Sequence, residues 1–81
     1  MNSWNYRVIR HTTDEHGNRL PKPYYCIHEA YYEDDDQPHS ISYSPVGTQG
    51  SSIPELKDAL LRMAEALQEP ILNYDDFHKE V

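Results

Sequence analysis

Polar and apolar residues alternate with a period of two through the first half of this chain, then recur every three or four residues in the second. Residues 4–12 place Trp4, Tyr6 and Val8 on one side of a strand and Asn5, Arg7, Ile9 and His11 on the other. Residues 24–33 form the most strand-like stretch. Tyr24, Cys26, His28, Ala30 and Tyr32 share one side, and Tyr25, Ile27, Glu29, Tyr31 and Glu33 share the opposite one. Residues 39–44 set His39, Ile41 and Tyr43 against Ser40, Ser42 and Ser44, which predicts a third strand with one buried and one wet face.

The segments between these strands are punctuated by turn formers. Residues 13–22 hold Asp14, Gly17, Asn18 and Pro21, which predict an exposed, mobile connection. The acidic run Glu33, Asp34, Asp35 and Asp36, followed by Gln37 and Pro38, predicts a hairpin loop. Gly47 and Gly50 sit at turn positions in the loop of residues 45–51.

A helix is predicted over about residues 53–68. Ser52 and Glu55 have capping-box spacing, and Pro54 falls in the first turn, where its missing N–H leaves no bond unmade. Leu56, Leu60, Met63 and Leu67 then form one apolar stripe, and Pro70 stops the run. Asp58 and Arg62 are spaced to pair on the outer face. Ile71, Leu72, Tyr74 and Phe77 form a last apolar group, read as a short edge strand or a packed tail, with residues 78–81 expected to fray. The sum is one α+β domain spanning residues 1–81, a three-stranded antiparallel meander with one helix on one face (β-β-β-α) and a short C-terminal strand as an option. A lone helix covers one side of such a sheet. The other side is then expected to face solvent or a partner, with aromatic rings on it.

Composition narrows the function classes. With 81 residues, 37% of them hydrophobic and seven of those tyrosine, the core is thin. The net charge of −7 argues against ordinary nucleic-acid binding and favours a basic protein partner or imitation of a nucleic acid. Cys26 is the single cysteine, the chain opens Met1-Asn2-Ser3-Trp4 without a secretory pattern, and no apolar run is long enough to span a bilayer. A cytoplasmic protein is the expectation.

Candidate chemistry is sparse. Cys26 and His28 share a strand side, with His39 across the hairpin, while His11 and His16 flank a turn; neither spacing supplies a close zinc-ligand pair, so no metal and no cofactor are expected. Cys26 as a nucleophile would need a base and an orienting group beside it, and packing is the more ordinary role for a mid-strand thiol. The acidic run lacks the calcium-loop order, and Gly47 with Gly50 make no phosphate loop. No catalytic residue is therefore expected. The aromatic surplus is the functional signal, since Tyr and Trp supply contact area at low rotamer cost. The expected partner-binding residues are Trp4, Tyr6, Tyr24, Tyr25, Tyr31 and Tyr32, together with the acidic tip Glu33, Asp34, Asp35 and Asp36.

Two resemblances follow from particular residues. Residues 4–11 (WNYRVIRH), 27–32 (IHEAYY) and 67–72 (LQEPIL) resemble a group of small bacterial proteins with no assigned activity, so that likeness implies none. Residues 50–56 (GSSIPEL), a loop glycine leading into a capped helix after three strands, are similar to the helix entry of HicB-like antitoxin domains. That likeness implies a small basic toxin as partner, although the DNA-binding segment usual after such a domain has no counterpart in these residues. The expectation is a non-enzymatic module that binds a basic protein partner or a second copy of itself. The alternatives are an acidic nucleic-acid mimic that inhibits a nuclease, and a HicB-like antitoxin fragment, with a metal- or cysteine-dependent enzyme behind both.

Overall fold

The computed structural model describes residues 3–77, so the end expected to fray, residues 78–81, lies outside the described residues. The elements run β1 (Ser3–Thr13), β2 (Arg19–Tyr32), β3 (Pro38–Ile41), α1 (Ile53–Glu65), a 3₁₀ turn (Ala66–Gln68), β4 (Leu72–Asn73) and a second 3₁₀ turn (Tyr74–Asp76). The protein is α+β, with one mixed four-stranded sheet in the order β3-β2-β1-β4. The three antiparallel strands are as expected, and the short C-terminal strand left as an option is present. β4 adds a fourth strand, parallel to β1, pairing Leu72 with Ile9 and Asn73 with Arg10.

The long β1–β2 hairpin is the spine of the fold, and its turn is tighter than its composition suggests. The Asp14 N–H donates to the Asn18 carbonyl at 2.8 Å, and the Asp14 carboxylate accepts from the N–H groups of His16 and Asn18 at 2.9 and 2.8 Å. Gly17 takes φ +84°, a left-handed conformation that suits glycine. The expected mobile connection over residues 13–22 is thus corrected to a closed turn, and β2 already begins at Arg19. Pro21 and Pro23 fall inside β2, where the register slips between the pairs Thr13–Arg19 and His11–Tyr24. A proline has no N–H for the ladder, so the irregularity sits where pairing is cheapest to lose.

Register then decides which side chains share a face. Arg7 faces His28, Ile9 faces Cys26 and Asn5 faces Ala30, so one side of the sheet carries all of these with His11 and Tyr24. The opposite side carries Trp4 with Tyr31, Val8 with Ile27, and Tyr6 with Glu29. Tyr6 shares one cleft with Pro54, Asp58 and Ala59 and another with Arg62, Glu65 and Ala66, which puts α1 on this second side.

The helix begins as its sequence requires. Ser52 is extended and its Oγ accepts from the Glu55 N–H at 3.3 Å, while Pro54 lies in the first turn. Glu55 accepts from the Ser51 hydroxyl at 2.6 Å, so its carboxylate serves the loop in place of the reach-back of a full capping box. A Cβ on Gly50 would lie 2.8 Å from the Leu56 nitrogen, a close approach that only glycine permits. At the other end, Glu69 is extended, as the residue before Pro70 is expected to be.

The buried stripe is rotated from the one the leucines trace. Met63 and Ala66 are buried and Leu56 and Ala59 half-buried, whereas Leu60 and Leu67 are 52% and 72% exposed. Small side chains let the helix lie close to the sheet, and the larger leucines are left on its flank. The third strand is corrected too. β3 ends at Ile41, and Tyr43, expected on the buried face, is 93% exposed.

The largest correction concerns the side away from the helix. The Pro70 carbonyl accepts from Arg7 Nη2 at 2.7 Å, Leu72 pairs beside Ile9, and the Tyr74 ring lies 4.5 Å from that of His11. Ile9, His28 and Ala30 are fully buried. The chain after α1 folds back over this face, so the open aromatic face expected of a single helix on a single sheet is not there. Polar side chains made the return possible: Arg7 gives the tail a hydrogen-bond donor and His11 a stacking partner that an apolar face would lack.

Candidate functional site

Three chemistry-bearing side chains meet on the tail-covered side. His11 comes from β1 and Cys26 and His28 from β2, and their ligand-capable atoms all lie within 4.8 Å of one another. His11 Nε2 and His28 Nε2 are 3.1 Å apart. The ring centroids are 5.2 Å apart with 26° between the planes, which for facing nitrogens that close is an edge-to-edge N–H···N contact. His28 Nδ1 is 2.9 Å from the Ser42 carbonyl. A carbonyl only accepts, so Nδ1 donates to it, and in that tautomer Nε2 presents a lone pair to His11. The shared proton then sits on His11 Nε2.

The surroundings hold this arrangement in place. The His11 ring stacks on Tyr24 at 4.8 Å with 9° between planes, and on Tyr74 at 4.5 Å with 28°. Burial, then the nearby His28, push the His11 imidazole below its usual 6.5, while Asp75 pulls the other way. Burial pushes the Cys26 thiol above its usual 9.0. A thiol shifted that way is a poor nucleophile, since the thiolate is the reactive form. A cleft of about 360 Å³ reaches both imidazoles from the side of Tyr43, Ser44 and Tyr74.

The residues expected to bind a partner are divided between places. Tyr24 belongs to the histidine stack, and the Tyr32 hydroxyl accepts from Arg7 Nη1 at 2.7 Å. Tyr25 lies opposite Arg10 and is exposed. Trp4, Tyr6 and Tyr31 gather on the helix-bearing side at the far end of the ribbon. Trp4 meets Tyr6 edge to face at 5.2 Å and pairs across strands with Tyr31, whose hydroxyl donates to Glu29 at 2.6 Å. Next to them a cleft of about 370 Å³ is lined by Trp4, Tyr31, Tyr32, Glu33 and His39. Glu33, Asp34, Asp35 and Asp36 are all exposed, Glu33 lines the cleft, and Asp35 bonds the cleft residue His39 at 2.9 Å. The fold therefore brings Glu33 of the acidic tip together with three of the six expected aromatic residues, Trp4, Tyr31 and Tyr32, and leaves Tyr6, Tyr24 and Tyr25 outside that cleft.

Sequence reasoning missed the histidine–cysteine cluster because spacing pairs His11 with His16 across the turn. The register instead carries His11 toward Cys26 and His28, and His16 points to the exposed turn. A usable signal existed: Cys26 and His28 sit two apart on one strand side, and His11 lies on the polar side of the strand that pairs with it.

Comparison of the chain with protein-family models, with curated proteins and with solved structures gives no match in any of the three. Among the described residues, no helix is long and apolar enough to cross a membrane.

Proposed function

We propose that the protein is a non-catalytic interaction module that docks a basic segment of a protein partner at the end of the β1–β2 ribbon. The observation that carries this reading is the cleft lined by Trp4, Tyr31, Glu33 and His39, with the exposed acids Asp34, Asp35 and Asp36 following Glu33 in the chain and Asp35 bonded to His39. An arginine or lysine over an indole face gains cation–π attraction, and adjacent carboxylates speed its arrival. The net charge of −7 supports a cationic partner, and a Cys26 thiol pushed up by burial supports a role other than nucleophilic catalysis.

Trp4 is the single tryptophan, so its fluorescence reports on the cleft directly. Titration with an arginine-rich peptide should shift that emission at low salt, and the shift should fade as salt rises. Replacing Asp34, Asp35 and Asp36 with Asn should slow association and leave the fold intact. An association rate unchanged by that triple substitution would remove the acidic tip from the mechanism.

A second reading, self-association, is favoured by a different observation. Ile53 and Leu60 in α1 and Leu67 in the 3₁₀ turn that continues it are 75%, 52% and 72% exposed and lie seven residues apart, which sets them near one side of this continuous helical segment. An antiparallel copy centred on Leu60 would set Ile53 against Leu67 of its neighbour. Sedimentation equilibrium of the wild type and Leu60→Glu tests it: a dimer dissociated by the substitution supports it, and a wild-type monomer at all concentrations rules it out.

A further inference from the structure

We propose that His11 Nε2, Cys26 Sγ and His28 Nε2 form a three-ligand site for a divalent zinc-type ion, with the fourth position open to the cleft beside Tyr43 and Tyr74. The reading is independent of partner docking, which uses the other end of the ribbon.

The geometry fits with small movements. Zinc–nitrogen bonds of about 2.05 Å at a tetrahedral angle put two ligand nitrogens about 3.3 Å apart, and a zinc–sulfur bond of about 2.3 Å puts sulfur about 3.6 Å from each nitrogen. The two Nε2 atoms already stand 3.1 Å apart, and Sγ lies within 4.8 Å of both. The imidazoles need to part by a few tenths of an ångström and turn their lone pairs about 35° off the line between them, and the thiol to approach by up to about 1.2 Å.

The donor set and its support match as well. Two imidazoles and one thiolate are ligands of intermediate softness, suited to zinc and cobalt(II) and poorly suited to calcium or magnesium. Metal-bound histidines characteristically donate their other N–H to a carbonyl or carboxylate, which fixes the tautomer and aims the lone pair. The Ser42 carbonyl does this for His28 at 2.9 Å. His11 needs only to move its proton from Nε2 to Nδ1, and Cys26 gives up its thiol proton to solvent on binding. Two rings, Tyr24 and Tyr74, hold the His11 plane so that Nε2 faces the other two ligands. Three protein ligands leave one coordination position, and the cleft of about 360 Å³ that touches both imidazoles gives water or a small anion a route to it.

Cobalt(II) is the probe. The full-length protein, purified without metal under reducing conditions, should take up one equivalent. The expected spectrum has intense visible d–d bands of four-coordinate cobalt and a near-ultraviolet thiolate-to-cobalt charge-transfer band, both bleached by one equivalent of zinc. Cys26→Ser, at a half-buried position, should keep the far-ultraviolet circular dichroism of the wild type, lose the charge-transfer band and bind zinc about 100-fold or more weakly. His11→Gln should weaken binding similarly. The triple variant His16→Gln, His39→Gln and His78→Gln should retain the wild-type spectrum. The proposal is overturned by absence of binding at micromolar metal, by Cys26→Ser binding as tightly as wild type, or by loss of binding in the triple variant.

Discussion

The two faces of the β1–β2 ribbon are closed by opposite means. On one, α1 and the 3₁₀ turn after it set small and flexible side chains, Ala59, Met63 and Ala66, half-buried or buried on the side of Tyr6. On the other, a segment of two strand residues and one 3₁₀ turn lies against Arg7 and His11, beside the equally buried His28. The first closure is non-directional and tolerates rotation of the helix, which is why leucines can end on its flank. The second depends on named partners at fixed distances: the Pro70 carbonyl, the Tyr32 hydroxyl, the Ser42 carbonyl and the Tyr74 ring. A polar face satisfied in this way costs less than one left open only while every partner is in place. The lesson is that a short chain can cover a second face without a second helix if that face is polar enough to bind backbone.

The sharpest way to break this comparison is at Arg7. Its two Nη groups tie β1 to Pro70 and Tyr32, and its Nε is buried without a hydrogen-bond partner among the described residues. Arg7→Ala leaves the Pro70 carbonyl and the Tyr32 hydroxyl unpaired and opens a void beneath the tail. A loss of about 3 kcal/mol in urea unfolding is expected. Amide exchange at Leu72 and Asn73 shows whether the tail opens alone or with the sheet. If those amides stay as protected as the β1–β2 ladder, the tail is held by something other than Arg7.

The apolar closure is tested by a matched pair on α1. Met63→Ala removes a buried side chain that also accepts from the Thr48 hydroxyl at 3.4 Å, and should cost about 2 kcal/mol. Leu60→Ala, one turn earlier and 52% exposed, should stay within about 0.5 kcal/mol in dilute solution. Equal losses in the two variants would mean that the leucine stripe faces the sheet after all.

This pair also shows how much was legible in the sequence. Period and capping placed the helix within a few residues, and Ser52, Pro54 and Pro70 behave as their chemistry dictates. The α+β class and the antiparallel pairing of the first three strands follow from alternation. What alternation cannot give is the face that wins burial, because Trp4-Tyr6-Val8 and Arg7-Ile9-His11 are each plausible cores until register joins them to β2. Helical period fails similarly, since alanines carry little weight in an apolar stripe though they permit the closest approach. The apolar group after Pro70 was legible as a short edge strand or packed tail, but the face that residues 70–77 cover was not, for a different reason. The anchors of that segment are a backbone carbonyl and a two-residue strand, and neither leaves a periodic trace. The same blindness hid the meeting of His11 with Cys26 and His28, a product of tertiary register.

A smaller effect is expected where the helix is launched. Ser52→Ala removes the Oγ that accepts from the Glu55 N–H, and should lower stability by about 1 kcal/mol. Ser52→Asp should restore it, since a carboxylate also accepts and complements the helix dipole. The loss should leave amide exchange at Leu72 close to wild type at matched stability. A selective opening of the tail in Ser52→Ala would show that the two closures are coupled through the sheet.

The smallest effect belongs to the acidic tip, which lies outside both closures. His39 is raised above its usual 6.5, first by its hydrogen bond to Asp35 and then by the charges of Asp35 and Glu33, with desolvation opposing. Asp35 is lowered below its usual 3.8, chiefly by the same bond. A raised histidine contributes stability that is full below 6.5 and is lost as pH climbs through its folded value. A lowered carboxylate contributes stability that is full above 3.8 and is lost as pH falls through its folded value. The pair is therefore intact across the interval between those two folded values. Both side chains are open to solvent, so the effect on melting temperature should be undetectable. Proton NMR should find the His39 midpoint above 6.5, and Asp35→Asn should return it toward 6.5. Because His39 lines the cleft beside Trp4 and Tyr31, a bound cationic peptide should lower that midpoint. A midpoint indifferent to the peptide would place docking elsewhere, while a melting temperature that falls in Asp35→Asn as far as in Ser52→Ala would make the tip part of the fold.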